Sequence, residues 1–309
     1  VAGEALTAGT YNFRVKAADA EGNEVEGNFS ITVAEKAELP TEGLVLWLDA
    51  NDYNPVSGQW LDRSGVGNTV GQTNSAYRPD KANPDGLNGR PAVHFNGENQ
   101  YLNLEWNLED GSLTTDEITV FMVLKSEQMN DSQTILGNYA EEGSLCFHIS
   151  TRQKILTAAI THSDDQDVRL TFSNSLEPYI ATYKVTPSSH TAYVNGNQTG
   201  TGNLGEHINW GATTIGRNGG PISQNIKEGY WEGYIAEIRI YNYALSDAER
   251  EAVELELGNK WLSSGPLSAV HFTPVSNLRE NTASVKVGAT VGTLSATAGI
   301  GDIIYSLEA

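Results

Sequence analysis

The chain has 309 residues, with 19 lysines and arginines against 39 aspartates and glutamates and a formal net charge of −20. The acidic residues are scattered rather than massed in a tail, so the field repels phosphates and argues against a nucleic-acid partner, and no apolar run approaches the ~18 residues of a membrane-spanning helix, which argues against direct membrane insertion. At 39% hydrophobic residues the chain can bury a good core, and its length exceeds the usual single domain, so two domains are expected.

Residues 9–19 alternate apolar and polar side chains, Glu21-Gly22-Asn23 supplies a turn, and residues 27–33 alternate again, which predicts a β-hairpin. Residues 34–42, polar and interrupted by Pro40, read as a linker. Gly43-Leu44-Val45-Leu46-Trp47-Leu48-Asp49 predicts a strand, Trp60-Leu61-Asp62-Arg63-Ser64-Gly65 a loop, and residues 90–97 with 101–104 a strand pair. The continuous apolar run 118–124 suits a strand buried on both faces. Cys146, the single cysteine, excludes an internal disulfide framework and falls in a further strand at 145–149 as a small packed residue. More strands are expected at 155–160, 168–172, 179–183 and 191–194. Asn195-Gly196 marks a tight hairpin, since both central positions of that turn require positive φ.

Along residues 233–241, Tyr234, Ala236, Ile238 and Ile240 face one way, and Ile235, Glu237, Arg239 and Tyr241 the other. Ser246 with Glu249 three residues on is a capping box, Asp247 and Glu249 sit favourably near the helix's positive end, and the helix runs to Trp261-Leu262. Ser263-Ser264-Gly265-Pro266 is a second linker.

The motifs at 43–49, 60–65, 90–104 and Ala192-Tyr193-Val194-Asn195-Gly196, followed by the strand and capped helix of 233–262, resemble in this order the laminin-G-like domains of the concanavalin A-like jelly-roll superfamily, which mostly recognise carbohydrate or protein surfaces. The first hairpin resembles the last two strands of cadherin-like repeats in large bacterial surface proteins. Leu278-Arg279-Glu280-Asn281 and residues 291–297 and 304–307 resemble the first strands of such a repeat. The expected fold is therefore all-β: a jelly-roll sandwich with one C-terminal helix over residues 43–263, plus a smaller cadherin/Ig-like β-sandwich. Residues 1–36 and 267–309 are expected to share that sandwich, because neither half can cover its own apolar face. Residue 1 is Val and no basic and apolar leader precedes the folded sequence, so the chain is expected to be a segment of a longer exported protein.

Glycoside hydrolases on the fold implied by this resemblance often carry Glu-x-Asp-x-x-Glu on one strand, where period-two spacing points acid and nucleophile into one cleft. No such sequence occurs, and Glu232 and Glu237 fall on opposite faces of a strand. The six histidines are scattered, and Cys-x-x-Cys and phosphate-cradling glycine motifs are missing, which leaves no basis for zinc or nucleotide. Calcium is the better cofactor, since it takes carboxylate, amide and backbone oxygens from irregular loops. Candidate ligands are Asp49, Asp52 and Asn54 after the opening strand, Asp62 in the next loop, and Asp164, Asp165 and Asp167 in one turn, each of which also fits a hydrated turn without an ion. The cadherin-like resemblance places Asp19 and Glu280 where that family holds interdomain calcium, with Asp302 the nearest carboxylate to Ala298, where an aspartate is common.

Sugar recognition joins an aromatic platform to planar polar side chains. Asn138 and Tyr139, Trp210, and Arg217 and Asn218 through Tyr230 and Trp231 offer that mixture. Trp210 and Trp231 fit core packing equally, whereas Trp47 and Trp261 read as core. The expected function is an extracellular, bacterial cell-surface adhesin module that binds glycan or polysaccharide without turnover, beside neighbouring adhesin domains. A structural spacer without ligand, and a polysaccharide-degrading enzyme or its accessory domain, are the alternatives.

Overall fold

The computed structural model describes residues 9–18, 24–33, 38–107, 116–128, 133–138, 146–152, 155–161, 167–170, 177–203, 213–217, 229–262, 269–274, 292–297 and 306–307. The chain divides into two compact units, one formed by Val1–Leu39 with Gly265–Ala309 and the other by Pro40–Ser264. In the first unit the expected hairpin forms: β1 (Gly9–Ala18) and β2 (Glu24–Val33) pair antiparallel from Gly9 opposite Val33 to Ala18 opposite Glu24.

The second unit contains β3 (Leu44–Asn54), β4 (Gln59–Asp62), β5 (Thr69–Gly71), β6 (Asp80–Leu87), β7 (Arg90–Asn96), β8 (Leu102–Glu105), β9 (Ile118–Ser126), β10 (Gln133–Asn138), β11 (Cys146–Arg152), β12 (Ile155–Thr161), β13 (Asp167–Leu170), β14 (Tyr179–Thr186), β15 (Ser189–Val194), β16 (Asn197–Asn203), β17 (Thr213–Ile215) and β18 (Glu232–Tyr241). They join in one 16-stranded hydrogen-bonded sheet whose main path is β13-β12-β11-β10-β17-β8-β5-β4-β3-β18-β9-β14-β15-β16, while β7 pairs with β18 and β6 with β7. The arrangement is all-β with one helix, as a concanavalin A-like jelly roll requires.

Strand β18 organises the sheet. Its length pairs with β9 on one side. On the other, Glu232–Ile235 face β7 and Glu237–Tyr241 face β3, and a bulge between Ile235 and Glu237 marks the changeover. Ile118 through Leu124 are all buried, as their unbroken apolar run implies. Thr119 fits because its hydroxyl donates to the Tyr243 carbonyl at 2.9 Å and accepts from the Leu245 amide at 2.9 Å, so the chain leaving β18 covers β9. The turn at Asn195 and Gly196 has φ of 49° and 80°, and Val194 pairs with Asn197 across it.

Helix α1 (Asp247–Leu257) starts at the Ser246–Glu249 capping box and continues as a π-helical stretch, Gly258–Leu262, to the residue where the sequence ends it. Ala252, Val253 and Leu257 are buried, and the Arg250 guanidinium packs 4.1 Å from the Tyr193 ring centroid. One sequence expectation changes: Trp60 and its neighbours form strand β4 rather than a loop, because Tyr53 pairs with Trp60 and the buried indole donates to the Asp49 carbonyl at 2.7 Å. In the first unit again, β19 (Ala269–Pro274) pairs with β20 (Gly292–Thr297), and β21 (Ser306–Leu307) adds to β2 opposite Phe29 and Ser30.

Candidate functional site

Glu237 and Arg239 lie on the same face of β18, beneath the end of the helix. Glu237, 0% exposed, accepts from Trp47 Nε1 (2.8 Å) and Arg239 Nε (2.6 Å) through one oxygen, and from Lys260 Nζ (2.5 Å) and Trp261 Nε1 (2.6 Å) through the other. Asp49, opposite Glu237 in the β3–β18 register, accepts from Lys260 Nζ at 2.8 Å, Arg63 Nη1 at 2.9 Å, and the Asn51 backbone and side-chain amides at 2.8 Å each. Burial works against the Asp49 carboxylate, but Lys260 and the Asn51 amides outweigh it and hold the pKa below the ordinary value. The guanidiniums of Arg63 and Arg239 lie over the Trp47 ring, 5.5 and 4.9 Å from its centroid, so Trp47 is half-buried between charges rather than a core residue as expected.

Asp49 and Asp62, expected as calcium ligands, are both engaged by protein donors. Asp49 already faces two cationic side chains. Asp62 accepts from the Trp47, Ser64 and Asn68 amides, the Ser64 hydroxyl and the Asn68 side chain, at 2.8–3.3 Å, which makes it the staple of its own turn. Asp52 pairs with Arg63, and Asn54 caps the turn by accepting from the Val56 and Ser57 amides. Among the described residues no group of three or more His, Cys, Asp or Glu is disposed to hold a metal. Asp19, Asp164, Asp165, Glu280 and Asp302 lie outside the described residues, and Asp167 opens β13.

A second constellation forms at the end of β17, which pairs with β10 on one side and β8 on the other. The Gly216 amide donates to the Ile135 carbonyl at 2.8 Å, and the Gly216 carbonyl accepts from the Trp231 amide at 2.9 Å. Asn138 stands opposite Thr213 in the same ladder. Thus the backbones at Arg217, Tyr230 and Trp231, distant in sequence, are brought together beside Thr134 and Ile135, whereas Asn138 pairs with the opposite end of β17; Tyr139, Trp210 and Asn218 lie outside the described residues.

Glycine is required at 216: its φ is +89°, and a Cβ there would stand 2.4 Å from carbons of the buried Phe95 ring. With the turn held this tightly, the Arg217 guanidinium lies 3.9 Å from the centroid of Tyr101. Tyr101 is 8% exposed, and the 39%-exposed ring of Tyr77 sits 5.9 Å from it at 31°. The Tyr101 amide donates to the Tyr77 carbonyl at 3.0 Å, tying the two segments together. Arg217 Nε is buried and has no hydrogen-bond partner. The sequence reading found Arg217 but missed Tyr77 and Tyr101. Tyr77 ends a single 3-10 turn, Ser75–Tyr77, and nothing in its local pattern announces a partner ring 24 residues downstream.

Trp231 is corrected in the other direction. It is 0% exposed and packs against Gly233, where an added Cβ would lie 2.9 Å from the indole, so it is a core residue and cannot frame a ligand. Tyr230 is half-buried and bridges Thr134.

A third cluster crosses three strands: Tyr234 faces His94 on β7 and Lys125 on β9. Glu127 accepts from the Tyr234 hydroxyl at 2.7 Å and meets His94 Nε2 at 2.8 Å. Burial would raise the Glu127 pKa, but His94 and Tyr234 outweigh it, and the net shift is downward.

Residues 96–249 match the Laminin_G_3 family, the concanavalin A-like lectin/glucanases superfamily. The central unit carries a concanavalin A-like domain. Among solved structures, the chain is similar to the botulinum neurotoxin serotype D binding domain (12% identity, TM-score 0.54, covering 77% of this chain and 60% of that one). It is also similar to the binding domain of botulinum neurotoxin DC in complex with SialylT (12%, 0.52, 70% and 52%) and to Trypanosoma rangeli sialidase in complex with sialic acid (14%, 0.50, 71% and 34%). The chain spans about half the length of the first neurotoxin binding domains it matches. At these identities the likeness is one of fold. No curated protein sequence matches the chain. Among the described residues no helix is long and apolar enough to cross a membrane.

Two outcomes follow from the concanavalin A-like domain's packing. Trp231→Ala is expected to destabilise it by about 3–5 kcal/mol, the cost of emptying a buried tryptophan site, measured by denaturant unfolding. Lys260→Met leaves Asp49 buried without its main stabilising partner. Asp49's depressed pKa contributes stability above about pH 4 that is lost as pH falls through the folded value. The substitution should therefore cost about 2–4 kcal/mol at neutral pH, near the lower end for breaking a buried pair since Lys260 is 23% exposed, and progressively less in acid, as urea titrations from pH 7 to pH 3 would show.

Proposed function

We propose that the concanavalin A-like domain is an extracellular carbohydrate-binding module of a bacterial adhesin, attaching a cell surface to a glycan or polysaccharide without cleaving it. The observation that supports this reading is the Tyr77–Tyr101–Arg217 group, two neighbouring rings and a planar guanidinium at the end of a rigid sheet. An aromatic face packs on the C–H face of a pyranose while planar polar groups satisfy its hydroxyls, and side chains in turns and strand ends held by the sheet offer both with little ordering cost. The net charge of −20 and single cysteine suit an exported chain that does not depend on disulfides. In this reading the other unit is a cadherin-like repeat that holds the lectin-like domain among neighbouring adhesin domains.

A glycan array followed by calorimetry tests the assignment. Tyr77→Ala should weaken the best ligand by roughly tenfold or more, about 1.4 kcal/mol, with at most a small fall in melting temperature because the ring is partly exposed. Unchanged affinity places the site elsewhere, an array without ligand favours a spacer, and release of reducing ends from a bound polysaccharide favours an enzyme.

Calcium belongs to the same proposal through Asp19, Glu280 and Asp302 and through Asp164 and Asp165. An ion that binds only the folded state adds about 2.7 kcal/mol at a hundredfold excess over its Kd. The melting temperature should then rise in millimolar calcium and fall with chelator, and an unchanged melting curve removes the metal.

A further inference from the structure

We infer that the saccharide taken by the Tyr77–Tyr101–Arg217 site carries a carboxylate, an inference that rests on the carbohydrate-binding reading above. Other arginines of the chain have partners that Arg217 lacks. Arg14 pairs with Glu26, Arg63 with Asp49, Arg239 with Glu237 and Glu256, and Arg250 with Glu251 and Glu254. Arg78 has no carboxylate, but its three guanidinium nitrogens donate to the carbonyls of Gln72, Val56 and Thr73. Arg217 has neither arrangement: among the described residues no carboxylate is within ion-pairing distance of it, as is also true of Arg90, and in Arg217 the Nε is in addition buried without a partner.

A chain with 39 acidic residues against 19 basic ones offers its arginines many partners, so an unmatched guanidinium is a feature to be explained. Leaving a buried donor unsatisfied costs about 1–3 kcal/mol, so the guanidinium is held where it is by packing and not by hydrogen bonds of its own. The guanidinium packs on Tyr101, and its two terminal nitrogens, unlike Nε, are not buried, so the Nη1–Nη2 edge is the one a ligand can meet. That edge presents parallel N–H donors, which match the two oxygens of a carboxylate, and such charge-assisted pairs are about twice as strong as bonds to neutral hydroxyls. Tyr77, beside Tyr101 and more exposed, would then pack against the ring that bears the carboxylate. The overall negative charge does not forbid this. At physiological ionic strength the Debye length is about 8 Å, so distant carboxylates are screened while a contact pair is not.

Uronic and sialic acids share this chemistry, and paired probes separate them. Calorimetry on the whole chain would compare an oligogalacturonate with its methyl ester, and sialyllactose with lactose. In at least one pair the acidic member should bind tenfold or more tightly than its neutral counterpart. Arg217→Gln should abolish that preference at an unchanged melting temperature, and Arg217→Lys, which keeps the charge but not the fork, should restore only part of it. Equal affinity within both pairs, or a preference that survives in Arg217→Gln, overturns the carboxylate assignment and leaves saccharide binding standing. If only other, neutral glycans bind on an array, the assignment is likewise overturned, whereas an array with no ligand at all overturns the carbohydrate-binding reading itself.

Discussion

The central unit depends on one carboxylate. Glu237 sits immediately past the bulge where β18 exchanges β7 for β3, and it collects donors from β3, from β18 itself and from the end of the helix. Four donors on two oxygens satisfy a group that would be prohibitively costly to bury alone. They also fix the helix end to the strand around which the sheet is organised. Asp49 repeats the device on the neighbouring strand and shares Lys260 with it, so the seam is a network rather than a single pair.

Much of the fold was legible because its signals are local. The apolar run of β9, the alternation along β18, the Ser246–Glu249 box and the Asn195-Gly196 turn each carry their geometry in a few adjacent residues. What misled was burial that comes from distant partners. Trp60 and its neighbours look like a loop until Tyr53 pairs with Trp60 across the hairpin. Trp231 looks like a ligand-contacting aromatic among glycines until the end of β17 closes over it. The donors that Asp49 collects are equally hidden, because nothing near it in the sequence reveals Lys260, 211 residues away.

The candidate site shows the same division. Arg217 stood out from its neighbours, but its setting is made by Gly216 against Phe95 and by rings at 77 and 101 that the sheet register delivers. Tight packing at the glycine is what brings the Arg217 guanidinium against a nearly buried tyrosine. The site is therefore positioned by core contacts although its outer members are exposed, and recognition there draws on rigidity already present in the sheet.

The Glu237 seam also divides four of the six tryptophans into two optical classes. Trp47 and Trp261 give their indole N–H groups to the same carboxylate, whereas Trp60 donates to a backbone carbonyl and Trp231 is enclosed by the β17 turn. Loosening of the helix end would release the first pair to water together, shifting part of the fluorescence emission to the red while the second pair still emits from an apolar surrounding. With Trp106 and Trp210 replaced by phenylalanine, intrinsic fluorescence thus distinguishes fraying of the helix–sheet seam from unfolding of the sandwich, with no label added.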